Sequence, residues 1–175
     1  MNHYRIAIGS DSAAYEYRLA LVADLEADDR VSTLTDFGVT EDTMQVAYPT
    51  VAVAVAEAIA AGEADRGILL CGTGIGVAIA ANKVPGIRAT VGHDSYSVER
   101  SIKSNNCQIL TLGQRVIGLE LARRLVREWL GYEFDPTSPS QAKVAVIEAY
   151  ESDHGDANAI DLLSSSIQGL SCEID

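Results

Sequence analysis

The sequence predicts an α/β fold, a Rossmann-like three-layer αβα sandwich with a five-stranded parallel sheet. Two observations carry this prediction. Short apolar runs alternate five times with longer helical patterns, an order that places helices on both faces of a parallel, doubly wound sheet. Near the middle, Gly67-Ile68-Leu69-Leu70-Cys71-Gly72-Thr73-Gly74-Ile75-Gly76-Val77 reads as a buried strand, a loop of alternating glycines and the opening of a helix. Open α/β sheets place their chemistry at the carboxyl ends of such strands.

Residues 5–8 form an apolar run that ends at Gly9-Ser10-Asp11-Ser12. This is the first strand and its loop, with Asp11 or Ser12 capping a helix over 17–25. Residues 31–36 are the second strand, followed by a polar loop over 38–46. Tyr48-Pro49 opens a helix over 50–61, with proline in its favoured early position. That helix is rich in alanine and valine and is expected to be buried on more than one side. The third strand, 67–70, leads into the glycine loop and a helix beginning near 75–77. Val84-Pro85-Gly86 turns the chain into a fourth strand over 88–91, and a short helix over 94–104 has Asp94 and Ser95 as candidate caps. A fifth strand spans 108–112. A helix over 118–130 then carries the apolar stripe Leu119, Ala122, Leu125, Val126 and Trp129. A final helix covers 142–151.

A chain of 175 residues with 47% hydrophobic content suits a single domain with a sizeable core. Residues 1–151 form that domain. Residues 152–175 form a polar C-terminal tail, expected to be partly ordered and to lie along a neighbouring subunit. The net charge of −12 argues against nucleic acid and anionic membrane as partners, because both need clustered Lys and Arg. No apolar run approaches the ~20 residues that span a bilayer, and the first residues lead into a strand, so a cytoplasmic protein is expected. Cys71, Cys107 and Cys172 are scattered and odd in number, which points to neither a disulfide framework nor a zinc site.

The glycine loop suggests the chemistry. Glycines let the backbone turn tightly and approach a ligand, and the first N–H groups of the next helix lack internal partners. Such a cradle takes a phosphate or a developing oxyanion. Cys71 at its head stands where the positive end of a helix favours a thiolate. One loop could therefore supply both a base and oxyanion donors, enough to move a proton α to a carbonyl. A buried inert thiol is the ordinary alternative for Cys71, and a plain N-cap the ordinary alternative for Asp11.

The spacing of Gly9-Ser10-Asp11, Tyr48-Pro49, Cys71-Gly72-Thr73-Gly74-Ile75-Gly76, Ala81-Asn82-Lys83-Val84-Pro85-Gly86-Ile87-Arg88, Asn105 and Gly113-Gln114-Arg115 resembles the type B ribose-5-phosphate isomerase and galactose-6-phosphate isomerase family. The resemblance covers roughly residues 5–150. It implies an aldose–ketose isomerase acting on a small phosphorylated sugar through a cis-enediolate, with no metal and no organic cofactor. Cys71 would be the base, with Thr73 beside it and the backbone of Gly72, Thr73, Gly74, Ile75 and Gly76 holding the enediolate oxygen. Asp11 would bind sugar hydroxyls or assist proton movement between oxygens, and Ser12 and Tyr48 would line the pocket. Asn105 and Arg115 match substrate-binding positions that come partly from the partner subunit. A homodimer or tetramer with a shared site is implied.

The chain departs from the family where the sugar is selected and opened. The family's Gly-x-Asp-His reads Gly9-Ser10-Asp11-Ser12, and the His-Asn of furanose-opening members reads Ser104-Asn105. Two phosphate-gripping arginines fall at about Pro139 and Lys143, of which only Lys143 keeps a charge. These losses suit a substrate that needs no ring opening. A tetrose phosphate such as D-erythrulose 4-phosphate or D-erythrose 4-phosphate cannot close a ring through its phosphorylated oxygen. The alternatives are ribose 5-phosphate, opened in solution or by another group such as His93, and one chain of a two-component galactose-6-phosphate isomerase, a noncatalytic binder if alone.

The remaining candidates have plainer readings. His93-Asp94, directly after the fourth strand at the carboxyl end of the sheet, either reaches the pocket or, the favoured reading, is a capping Asp beside a surface His. Cys107 is expected to be core, and Arg88 to be structural rather than a phosphate ligand. Arg123, Arg124 and Arg127 are expected on a solvated face, with Tyr15 and Tyr17 packing the first helix. Lys143 is either a phosphate ligand from a partner subunit or an ordinary surface lysine.

Overall fold

The computed structural model describes residues 3–152. The tail from 153 onward, with His154 and Cys172, lies outside the described residues. The strands are β1 (Tyr4–Ser10), β2 (Val31–Asp36), β3 (Arg66–Cys71), β4 (Ala89–Val91) and β5 (Ile109–Gly113). The helices are α1 (Tyr15–Glu26), α2 (Tyr48–Ala60), α3 (Ile75–Ala81), α4 (Ser95–Lys103), α5 (Leu119–Leu130) and α6 (Ser140–Ser152). All five strands are parallel, in the order β2-β1-β3-β5-β4. The expected fold class is the one observed.

Side chains alternate across a strand, and that alternation sorts the core into two layers. Ile6, Ile8, Ile68, Leu70, Leu110 and Leu112 face α1, α4 and α5. Ala7, Leu69, Cys71 and Ile109 face α2 and α3. The α2 helix touches both the sheet and α3, which accounts for its scarcity of charge. Along α5, the predicted stripe is buried at Ala122, Leu125, Val126 and Trp129 and continues to Leu130, while Leu119 is only partly covered.

Several boundaries differ from the sequence reading. The Asp11 carboxylate caps a 3-10 turn, Ser12–Ala14, by accepting the Ala13 N–H at 3.1 Å, and α1 starts only after that turn. Cys71 is the last residue of β3. Arg88 lies before β4, where it anchors neighbouring loops. Within the polar loop, Glu41–Thr43 forms a second 3-10 turn, closed by a reciprocal bond pair between Thr40 and Thr43.

The two cations buried most deeply are structural. Arg18 of α1 pairs with Asp36 and donates to the Val39 carbonyl at 2.6 Å. Arg66 lies over the rings of Tyr4 (4.1 Å) and Trp129 (5.2 Å) and donates to the carbonyls of Trp129 (3.0 Å) and Tyr132 (2.6 Å). Among the described residues no helix is long and apolar enough to cross a membrane.

The strand order sets the place for chemistry. From β1 the chain goes to β2 on one side and then crosses back to β3 on the other. A sheet that reverses in this way opens a crevice beyond the carboxyl ends of β1 and β3. Ser10 pairs in register with Leu70, and Cys71 with Gly113. The loops after β1, β3 and β5 therefore begin side by side.

Candidate active site

At the carboxyl end of β3 the Cys71 side chain faces the α2 and α3 layer and is buried. Its Sγ accepts the Gly74 N–H at 3.1 Å. Gly74 adopts φ +78°, and a Cβ there would lie 3.0–3.2 Å from the Leu112 backbone. Both the left-handed conformation and the close approach require glycine. The Gly74 carbonyl accepts the buried Thr111 hydroxyl at 2.8 Å. Thr73 is exposed, and its Oγ1 accepts the Ile75 N–H at 3.4 Å. Ahead of these groups α3 begins, its first N–H groups free of intrahelical acceptors.

The neighbouring loops close around this one. Tyr48, at the start of α2, stands over the first turn of α3, where a Cβ on Gly76 would meet its ring at 2.6 Å. Tyr48 is 40% exposed. Asp11 uses Oδ1 for the Ala13 cap, and among the described residues its Oδ2 has no hydrogen bond. The Ala13 methyl and the Arg115 side chain approach Gly72 from two directions, at 3.8 and 3.5 Å from the position of a Cβ there. The loop after β5 is tied beneath by Gln114 N–H to the Cys71 carbonyl and Arg115 N–H to the Gly72 carbonyl, both 3.0 Å. The Arg115 guanidinium is exposed and has no hydrogen bond or ion pair among the described residues. Cys71, Gly72, Thr73, Gly74, Ile75, Gly76, Asp11, Ser12, Tyr48 and Arg115 thus share one end of the sheet.

Asn105 does not join them within one chain. The α4 to β5 connection lies at the amino end of the sheet, and Gly113 is four residue steps along β5 from Ile109, about 13 Å of rise. There Asn105 donates to the Arg100 carbonyl at 3.0 Å. Arg88 binds the carbonyls of Asn105 (3.0 Å) and Asn106 (3.1 Å) and pairs with Glu148 of α6 at 3.1 Å. Its structural role is as expected. Lys143 is exposed on α6, a helix whose Val144 alone is buried and which leaves Val146, Ile147 and Tyr150 about half exposed. A groove between α6 and the end of α3 is lined by Asn82, Lys83, Ile87, Arg88, Ile147 and Tyr150.

The plainer candidates largely stay plain. Burial pushes the Cys107 thiol up to about 11, against the pull of Arg88, as suits a core residue. Tyr17 packs α1 and donates to the Ile117 carbonyl at 3.1 Å. Arg123 pairs with Asp24 and Glu120, and Arg124 with Glu128, on the outer face of α5. Asp94 caps α4 by accepting the Ser97 N–H at 2.8 Å. His93 differs from its reading as a surface residue: it is partly buried, and its Nε2 accepts the Gly113 N–H at 3.0 Å. Thr111 and Gly113, which shape the cradle from below, carry no local sequence signal beyond a glycine at a strand end.

Known proteins resemble this chain in sequence and fold. The profile of the family described as Ribose/Galactose Isomerase matches residues 6–147. The chain is 62% identical to a D-erythrulose-4-phosphate isomerase 2 from Mycolicibacterium smegmatis, over 84% of this chain and 97% of that one. It is 47% identical to a D-erythrulose-4-phosphate isomerase from Pectobacterium atrosepticum, over 83% of this chain and 94% of that one. The solved type B ribose 5-phosphate isomerase of Leishmania infantum superposes with a TM-score of 0.81 at 38% identity, over 86% of this chain and 98% of that one.

Proposed function

The chain belongs to the Ribose/Galactose Isomerase family, and from that membership we propose a cytoplasmic aldose–ketose isomerase that interconverts D-erythrulose 4-phosphate and D-erythrose 4-phosphate. The observation that carries the mechanism is the Cys71 sulfur, buried at the head of the glycine loop and accepting the Gly74 N–H at 3.1 Å. As a thiolate, Sγ removes the proton from the carbon next to the carbonyl and returns it to the neighbouring carbon. The electron pair left behind moves onto the carbonyl oxygen, giving the cis-enediolate. Donors set in advance toward that oxygen lower the barrier as charge develops. The N–H groups of Gly76 and Val77 in the first turn of α3 and the Thr73 hydroxyl are placed for this. Asp11, with Oδ2 unengaged, carries the proton between the two sugar oxygens or holds a hydroxyl. Tyr48 and Ser12 wall the pocket, and Arg115 meets the phosphate.

The tetrose reading rests on the residues that replaced ring-opening groups, Ser12 and Ser104. It is supported by 62% identity to a protein named for D-erythrulose 4-phosphate. A serine hydroxyl is a poor acid near neutrality, and a tetrose phosphate presents no furanose ring. Turnover of D-erythrulose 4-phosphate and D-ribose 5-phosphate by the purified chain tests this. The tetrose should have the higher kcat/KM, and a preference for the pentose by about tenfold, about 1.4 kcal/mol in the barrier, would overturn it.

The separation of Asn105 from Cys71 supports a homodimer in which each site is completed by its partner. The apolar outer side of α6 suits such burial. Inactive Cys71→Ser and Asn105→Ala chains, mixed and reassociated, should regain activity, because a mixed dimer holds one site with both native residues. Failure of the mixture to recover would exclude sharing.

A further inference from the structure

β4 is the shortest strand, and it pairs with β5 only as far as Val91 opposite Thr111. β5 runs on to Gly113. The N–H and C=O of one strand residue point to the same neighbour, and the direction alternates along the chain. Thr111 faces β4, since its carbonyl accepts the Gly92 N–H at 3.2 Å. Gly113, two residues on, faces the same way, but β4 has already ended there. A buried N–H in that position needs another acceptor, and the His93 Nε2 supplies it at 3.0 Å.

The imidazole is held in place on both sides. A Cβ on Gly92 would lie 2.7 Å from Val98 and 2.9 Å from Leu110, so glycine lets the chain pass close to α4 and β5. Asp94 is fixed as the cap of α4. Gly113 in turn supports the reacting loop: a Cβ there would sit 2.6–2.8 Å from the Thr73 backbone. Two residues back, the Thr111 hydroxyl holds the Gly74 carbonyl at 2.8 Å, and the Gly74 N–H holds Cys71 Sγ at 3.1 Å. The carboxyl end of β5 is the floor of the cradle, and His93 pins its last residue.

We propose that neutral His93 is a positioning residue, which fixes Gly113 and through it the Thr73–Gly74 segment that orients the Cys71 sulfur. It rests on the reading of Cys71 as the base. An imidazolium has two N–H donors and no acceptor, so protonation releases the Gly113 N–H and loosens the floor. β5 meets the ring with the uncharged Gly113 backbone, and Asp94 is the charged group beside it. Burial holds the His93 pKa below its ordinary 6.5 against the opposing pull of Asp94. The neutral form is therefore favoured in the fold, and the bond is complete at neutral pH. It is lost as pH falls below 6.5 through the lower folded value.

The test uses His93→Gln and His93→Leu in the full chain, with kcat and KM measured from acid to neutral pH. The wild type should lose kcat on the acid side of neutrality. Gln offers an amide oxygen that accepts without titrating, so His93→Gln should keep kcat within about threefold at neutral pH and lose the acid inflection. His93→Leu should lower kcat by about tenfold or more with KM nearly unchanged, the mark of lost geometry rather than lost binding. Persistence of the acid inflection in His93→Gln, or full kcat in His93→Leu, would overturn the proposal. If His93→Leu does not fold, the wild type and His93→Gln decide the matter. The Gly113 amide signal, followed by NMR without substrate, should titrate with the imidazole in the wild type. That titration without any sugar-phosphate turnover would defeat the isomerase reading alone, whereas turnover with a non-titrating Gly113 would defeat the role of His93 alone.

Discussion

At the amino end of the sheet, Arg5, Arg30, Arg66 and Arg88 each close on a carboxylate or a carbonyl of the protein. Arg5 binds Asp65 and the Gly62 carbonyl, Arg30 binds Asp28 and the Arg127 carbonyl, and Arg66 lies between two aromatic rings. At the carboxyl end, Arg115 passes Gly72 with its guanidinium unpaired among the described residues, Thr73 is exposed, and Asp11 has an oxygen to spare. The two ends differ in whether their bonding capacity is already satisfied. Groups whose partners lie within the chain secure the fold, and groups left without partners are the ones a ligand can recognise. Mutations of the satisfied arginines at the amino end should therefore alter stability without altering kinetics, and those of the unsatisfied groups at the carboxyl end the reverse.

The sharpest division should come from Cys71→Ser. Loss of a positioned base costs roughly two to four decades in rate, so kcat should fall by about a thousandfold while thermal unfolding hardly moves. Unchanged activity would remove the mechanism. Next in size is Arg66→Met at the other end. It removes the guanidinium donor from the Trp129 and Tyr132 carbonyls and strips two rings of their cation, a loss of about 2–3 kcal/mol in chemical denaturation. Here kcat/KM should be unchanged, and a kinetic defect in the folded variant would break the comparison. Arg115→Met should have the smallest effect, raising KM about tenfold by removing a charge-assisted contact to phosphate. Its unfolding midpoint should match the wild type, and a large drop would mean that Arg115 also serves the fold.

Local patterns disclosed much of this molecule. β2 occupies residues 31–36 as expected, Pro49 sits in the first turn of α2, and Asp94 is the cap it looked like. The glycine loop was readable because tight turns and close approaches restrict residue choice at adjacent positions. What connects distant stretches left no such mark. Thr111 reaches Gly74 across 37 residues and His93 reaches Gly113 across 20, and neither bond alters a periodicity or a cap. Arg66 is buried because Tyr4 and Trp129 flank it from two other elements, a pairing that no window along the chain contains. The place of Asn105 follows from topology instead. Every helix-to-strand connection in a parallel sheet returns to the amino end, so a residue just before β5 cannot line the crevice of its own chain.

The contact between Gly113 and the Thr73 backbone bears on engineering. Because the β5 end and the Cys71 loop interlock at backbone distance, the glycine loop is not a portable motif. Transplanted by itself onto another parallel sheet, it would meet a β-carbon where Gly113 stands, with no hydroxyl beneath Gly74. A working graft would have to carry Thr111-Leu112-Gly113 with it as a single cassette, together with an acceptor in the position of His93.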